Sequence, residues 1–238
     1  MSLTFTWLAH STFLFEADGN ALIIDPFITN NPLLDISVND IRVDTIVLTH
    51  AHGDHVGVTQ QSPAGDTISI CKRNNAGIIC NFEMGNWFAK NGIPENLISQ
   101  GNPGGTVRGN WVDVKFTKAF HSSSFEDGSY GGVACGVILR TGGYTVYHAG
   151  DTELFGDMAL IGEENIDLAI LPIGDSFTMG VDDSIRAVKM LKPKYVSPCH
   201  YNTFPPIVQD VAAWADRVNR ETGAQPIVID PKQSYTLE

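Results

Sequence analysis

Four short apolar runs in this 238-residue chain each end at, or just before, a residue that can bind a metal. "TIVLTH" ends at His50, "WVDVKFTKAFH" at His121, "GYTVYHAGD" at His148 and Asp151, and "KYVSPCH" at His200. Runs this short, rich in β-branched and aromatic residues, read as buried strands. Strand ends that lie far apart in sequence can still converge at one sheet edge. The pattern therefore points to a sheet-based fold with one edge rich in imidazole and carboxylate.

The rest of the chain fills in around those strands. "LTFTWLAHSTFLFEA" alternates, then Asp18-Gly19-Asn20 turns into "ALIIDPF", a hairpin signal. "TISICK" reads as another short strand, and "NNAGIICNFEMGNWFAKNGI" as helical pieces interrupted by glycine. A second hairpin runs through Thr141-Gly142-Gly143, and "DLAILPIG" is a buried strand. "DDSIRAVKMLKP" predicts a helix capped by Asp182 or Asp183 and stopped by Pro193. "PPIVQDVAAWADRVNRETG" predicts a helix with Gly223 just past its end, and "PIVID" a closing strand. Strand runs flanked by helices predict an α/β chain with two mixed sheets face to face and helices outside. Residues 1–238 are expected to form one domain built from two similar halves.

Charge and cysteine content narrow the function. A net charge of −12 disfavours general binding to nucleic acid. Cys71, Cys80, Cys135 and Cys199 form no CxxC pair and read as reduced, mostly buried thiols. Cys199 is expected to face the core if its neighbour His200 faces a site. No apolar run has membrane-spanning length, and "MSLTFTWLAHSTF" lacks the pattern of a signal peptide. A cytoplasmic protein with a small-molecule partner, no nucleic acid and no membrane is expected. A homo-oligomer is also expected, although no particular residue argues for it.

The chemistry concentrates in "HAHGDHV", residues 50–56. Neutral imidazole and carboxylate are good ligands for zinc and similar ions. His50 and His52 project to one side of an extended segment. Gly53 permits a turn, so Asp54 and His55 can face a second ion. His121 could complete a three-histidine set with His50 and His52, although alone it reads equally well as a packed histidine. His200 could join Asp54 and His55, and Asp151 could bridge two ions.

In this order, His50, His52, Asp54, His55, His121, Asp151 and His200 resemble the metallo-β-lactamase superfamily. "WLAHSTF", "IDPF", "HSSS", "YHAGDT", "LPIGDSFTMG" and "CHYNTFP" resemble a branch of uncharacterised metal-dependent hydrolases similar to the ascorbate-6-phosphate lactonases. The resemblance spans nearly the whole chain and implies a four-layer αββα sandwich with a dinuclear site at one sheet edge. It also implies that His10 lies near the pocket mouth, to contact substrate or to donate a proton; the other reading of His10 is a hydrogen-bonded core histidine.

Two divalent ions, zinc first with manganese or iron as alternatives, would make hydroxide available near neutral pH. The expected reaction is hydrolysis of an ester, lactone, amide or phosphate-ester bond in a small molecule. Asp54 is expected to be a ligand first and a proton shuttle second. Asp25 either fixes the tautomer of a ligand histidine or caps the turn before Pro26. His148 either supports the site or packs in the core. Asp175, Phe177, Thr178 and Met179, in a loop between a strand and a helix, are candidate pocket walls, as are Tyr201, Thr203 and Phe204 beside His200. Ser122, Ser123 and Ser124 read as hydrogen-bonding loop residues. A nuclease or phosphodiesterase on the same scaffold and a diiron redox protein are the alternatives. Lys72 and Arg73 form the only clustered basic pair. β-Lactamase activity itself is not expected.

Overall fold

The computed structural model describes residues 2–60, 62 and 65–237. The first half supplies strands β1 (Leu3–Trp7), β2 (Phe13–Ala17), β3 (Asn20–Ile24), β4 (Thr45–Val47), β5 (Gly77–Asn81) and β6 (Ile98–Gly101). The second supplies β7 (Thr106–Arg108), β8 (Asp113–Lys118), β9 (Cys135–Thr141), β10 (Tyr144–His148), β11 (Leu168–Pro172), β12 (Tyr195–Cys199) and β13 (Gln225–Pro226). The chain then returns to the first sheet as β14 (Ser234–Leu237), antiparallel to β1. Both sheets have seven strands, ordered β14-β1-β2-β3-β4-β5-β6 and β7-β8-β9-β10-β11-β12-β13.

Read across, the two sheets repeat one pattern. In each, the first four strands pair antiparallel and the rest parallel. The turns at Asp18-Gly19 and Gly142-Gly143 all have positive φ (50°, 81°, 57° and 81°), the backbone that a two-residue hairpin requires.

Side-chain alternation sorts the core into layers. Leu22 and Ile24 of β3, Val47 of β4 and Ile79 of β5 face the second sheet and pack with Phe116, Val137 and Leu139. Their neighbours Ile23, Ile46 and Ile78 face the other way. There they meet helices α2 (Asp66–Asn74) and α3 (Phe82–Lys90), through Ile70, Cys71, Met84 and Phe88. The one-turn helix α1 (Gly53–Val56) lies at the sheet edge. Helices α4 (Met158–Gly162), α5 (Val181–Leu191) and α6 (Val211–Glu221) cover the second sheet. The result is the αββα sandwich. Strands buried on both faces explain why β4 and β5 show no alternation in the sequence.

Several local expectations change. "TISICK" lies inside α2, because Ile70 and Cys71 pack on the first sheet's outer face and tertiary contact overrides β propensity. "GIICN" is β5, drawn into a strand by parallel pairing with β4 and β6. Helix α5 is capped at Gly180 without a side-chain bond, and Asp182 and Asp183 lie in its first turn, near the positive end of the dipole. The segment before α6 is a separate 3-10 turn, and Asp210 caps α6 by accepting from Ala213 N. Of "PIVID", only Pro226 enters a strand. All four cysteines are free and buried, and Cys199 lies in the inter-sheet core. Among the described residues, no helix is long and apolar enough to cross a membrane.

Candidate metal centre

Strands β1, β3, β4, β8, β10 and β12 all run toward one edge of the sandwich. Just beyond their ends come His10, Asp25, His50, His121, Asp151 and His200. His10, Asp25 and His200 have positive φ (53°, 46° and 52°), uncommon for residues with a side chain. This backbone turns the chain sharply as it leaves each strand. Gly150, at φ 62°, does the same before Asp151, and a Cβ there would lie 2.6 Å from the Cys135 carbonyl.

Two donor groups result. His50, His52 and His121 offer nitrogens within 4.8 Å of one another, and so do the donor atoms of His10, Asp54, His55 and His200. Between the groups lies Asp151 Oδ2, 3.4 Å from His55 Nε2, 3.5 Å from His121 Nε2 and 3.0 Å from His200 Nε2. Helix α1 makes this sharing possible. His52 caps its start, and the helical turn carries Asp54 and His55 around toward the second group. Gly53 itself is helical. Its role is close approach, since a Cβ would meet the Val58 carbonyl at 2.6 Å, and the left-handed turn falls at Gly57.

The hydrogen bonds fix tautomers. Asp25 accepts from Thr49 N at 2.8 Å, Thr49 Oγ1 at 2.6 Å and His55 Nδ1 at 2.8 Å. Thr49 Oγ1 has given its hydrogen to Asp25, so it accepts from His50 Nδ1 at 3.0 Å. His50 and His55 therefore both present an unprotonated Nε2 to the centre. His50 Nε2 lies 3.0 Å from His52 Nδ1, and His55 Nε2 faces the Asp151 carboxylate.

Such contacts bring lone pair against lone pair unless a cation or proton lies between. Buried His55 Nε2, His200 Nδ1 and Asp151 Oδ1 have no hydrogen-bond partner. Burial holds His50, His52 and His121 neutral, with pKa values below the usual imidazole range. Burial also lowers His55, but the Asp151 charge outweighs it and pushes His55 well above that range. Burial alone would raise Asp151, yet the His200 and His55 charges hold it far below. A proton on His55 Nε2 is one way to balance these lone pairs. Divalent cations would do so with every imidazole neutral, the form that coordinates. A nitrogen and oxygen shell without thiolate, tied from behind by Asp25, fits zinc, manganese or iron.

His10 is fully buried beside the second group. Its Nδ1 lies 3.0 Å from Thr203 Oγ1 and its Nε2 3.2 Å from Asp54 Oδ2. Neutral His10 carries one hydrogen; with it on Nε2, His10 donates to the Asp54 carboxylate and Thr203 Oγ1 donates to the Nδ1 lone pair. Burial, with His200 adding to it, lowers His10 to about 4. Burial would raise Asp54, but the His10 bond overcomes it and holds the carboxyl well below its usual range.

Other expected site residues divide. Phe177 and Phe204 line the cavity that holds His52, Asp54, His121, Asp151 and His200. Thr203 reaches the site through His10. Met179 is buried in the core, its N–H bonded to the Thr152 carbonyl, so it is no wall. Tyr201 is also core, stacked on Trp7 with ring centroids 5.1 Å apart. Asp175 and Thr178 lie outside that cavity, in a turn where Asp175 and Ser176 have positive φ. His148 touches no candidate ligand side chain. It accepts from Gly150 N at 3.1 Å and donates to the Ser11 carbonyl at 3.2 Å, which steadies the backbone before Asp151. Thr49, Asn30, Phe27 and Glu126 join the site or its walls without having been foreseen. Thr49 precedes His50 in the sequence, but its partner Asp25 becomes evident only once β3 and β4 are paired.

The chain has relatives in sequence and in fold. A family model described as a beta-lactamase superfamily domain matches residues 4–200. A UPF0173 metal-dependent hydrolase of Thermus thermophilus is 44% identical over 98% of each chain. Another from Bacillus cereus is 42% identical over 96% of this chain and 97% of its own. Igni18, a solved metallo hydrolase from Ignicoccus hospitalis, is 35% identical with a TM-score of 0.87, covering 100% of this chain and 99% of its own. The chain belongs to the metallo-β-lactamase superfamily, and within it to the UPF0173 family of metal-dependent hydrolases.

Proposed function

We propose that the chain is a hydrolase with a dinuclear centre that cleaves an ester, lactone or phosphate-ester bond in a small molecule. His50, His52 and His121 would hold one ion and Asp54, His55 and His200 the other, with Asp151 within reach of both groups. The observation that carries this reading is the pair of donor groups meeting at Asp151, with buried lone pairs that no protein donor satisfies. Zinc is the first choice of metal, manganese or iron the next.

When bound there, divalent cations supply Lewis acidity and a water of lowered pKa. The chain does the rest. Asp25 holds His50 and His55 as Nδ1–H tautomers, directly and through Thr49. The His10–Asp54 pair holds one proton between Nε2 and Oδ2 at the edge of the cavity, where a leaving group can take it. Thr203 anchors His10 from behind. Phe177 and Phe204 flank the cavity and limit the water that reaches it.

A screen of esters, lactones and phosphodiesters against protein of known metal content tests the reading. Turnover that depends on added metal and disappears in His52→Ala and Asp151→Ala is expected. Full turnover in those variants would refute it. A visible iron chromophore with no hydrolysis of any probe would favour the redox alternative.

A further inference from the structure

The walls of the cavity differ on its two sides. On one, His52, Asp54 and Phe204 open into a groove with Asn30 and Glu126. On the other, His121 and Ser122 open into a groove of about 630 Å³ walled by Phe120, Tyr130 and Val133. Those three side chains are 51%, 66% and 50% exposed, and Phe177 across the cavity is 61% exposed. Large apolar side chains left in water beside a reactive centre point to an apolar ligand.

The backbone behind this groove is tied down. Asn81 Nδ2 donates to the Gly131 carbonyl at 2.7 Å and the Val133 carbonyl at 3.0 Å. Ser123 Oγ donates to the Gly131 carbonyl at 3.0 Å, and Ser124 bridges Tyr130. The groove contains no Lys, Arg, Asp or Glu. None of the chain's 15 Lys and Arg residues lines this groove, the opposite one or the central cavity. A phosphate or carboxylate on the substrate's arm would meet no countercharge there, and Glu126 and Asp54 would repel it on the other side.

We infer that the substrate is a carboxylic ester or lactone whose acyl arm is uncharged and apolar and lies along Phe120, Tyr130 and Val133. This rests on the hydrolase reading above and narrows its substrate. The groove is continuous with the candidate centre through His121 and Ser122, which commits it to an arm of the same molecule that reacts.

The test uses metal-loaded protein and three p-nitrophenyl esters: acetate, hexanoate and the half-ester of adipic acid, which matches hexanoate in length but ends in a carboxylate. kcat/KM is expected to rise at least about tenfold from acetate to hexanoate, since each buried methylene is worth up to about fourfold. It should fall back for the adipate half-ester, and Val133→Asp should bring the hexanoate-to-acetate ratio toward one. Equal rates for all three esters would overturn the inference while leaving the hydrolase reading intact. If no ester is turned over, the ester-hydrolase reading fails, and calorimetry with 2-octanone and 7-oxooctanoate decides the groove separately. Tighter binding of 2-octanone that Val133→Asp and Tyr130→Ser weaken supports it. Equal binding, or none, overturns it. A halved solution mass in Val133→Asp without a change in ester preference also overturns it, by making the patch an interface between copies.

Discussion

Asp25 shows how much of this centre depends on a residue that need not touch a metal. Its carboxylate sets His55 directly and His50 through Thr49. Asp25→Asn sets an amide donor against at least one of the three donors that point at this carboxylate, whichever way it turns. Metal affinity should fall about 10- to 100-fold, the usual cost of losing such a partner, with the circular dichroism spectrum unchanged. Unaltered affinity would reduce Asp25 to a cap for the turn before Pro26. His10 makes a different prediction. His10→Gln should retain metal content yet lower kcat by about 10²–10⁴-fold, the range for a positioned acid or base. A loss confined to metal content would instead make His10 a ligand.

At the scale of elements, Asn81 links a helix cap to the apolar groove. Its Oδ1 accepts from Met84 N at 2.9 Å at the start of α3, while its Nδ2 holds Gly131 and Val133. Asn81→Ala removes the α3 cap from Met84 N and one bond from each of the Gly131 and Val133 carbonyls, so urea unfolding should report a loss of about 1–3 kcal/mol. A loss under about 0.5 kcal/mol would mean that the groove backbone stands without it. Elements were legible in the sequence where a single face or a turn governed them. The two Gly-containing hairpins and helix α5 are of this kind. Strand β5 and helix α2 were not, because Ile70, Cys71 and Ile78 suit either element and partners distant in sequence decide. Strand β14 has four residues and exists only through β1. The centre was more legible than the elements, because "HAHGDH" and the strand-end residues carry their chemistry in residue type. Its supports were less so. Thr49 needed the β3–β4 register, and Tyr201 and Met179 carry nothing in the sequence that separates a wall from a core. One echo became visible only in the fold: His10 and His121 each follow by three residues the ends of β1 and β8, which hold matching places in the two sheets.

For the whole molecule, the centre gathers five histidines and two carboxylates at one edge of the sandwich, in a chain whose net charge is −12. There His55 Nε2 faces Asp151 Oδ2 at 3.4 Å, a contact that needs a cation or a proton between its atoms. Cations that bind the folded chain alone raise its stability by mass action, by about 4 kcal/mol at a thousandfold excess over Kd. Chelation should therefore lower the melting temperature by several degrees, and returned zinc should restore it. A melting temperature indifferent to metal would mean that the lone pairs are satisfied by protons. The most direct test of the central claim is to titrate stripped protein with zinc while following ester or lactone hydrolysis. A dinuclear hydrolase predicts activity that climbs until two equivalents per chain are bound. Full activity in the stripped protein, or a plateau at one equivalent, would contradict it.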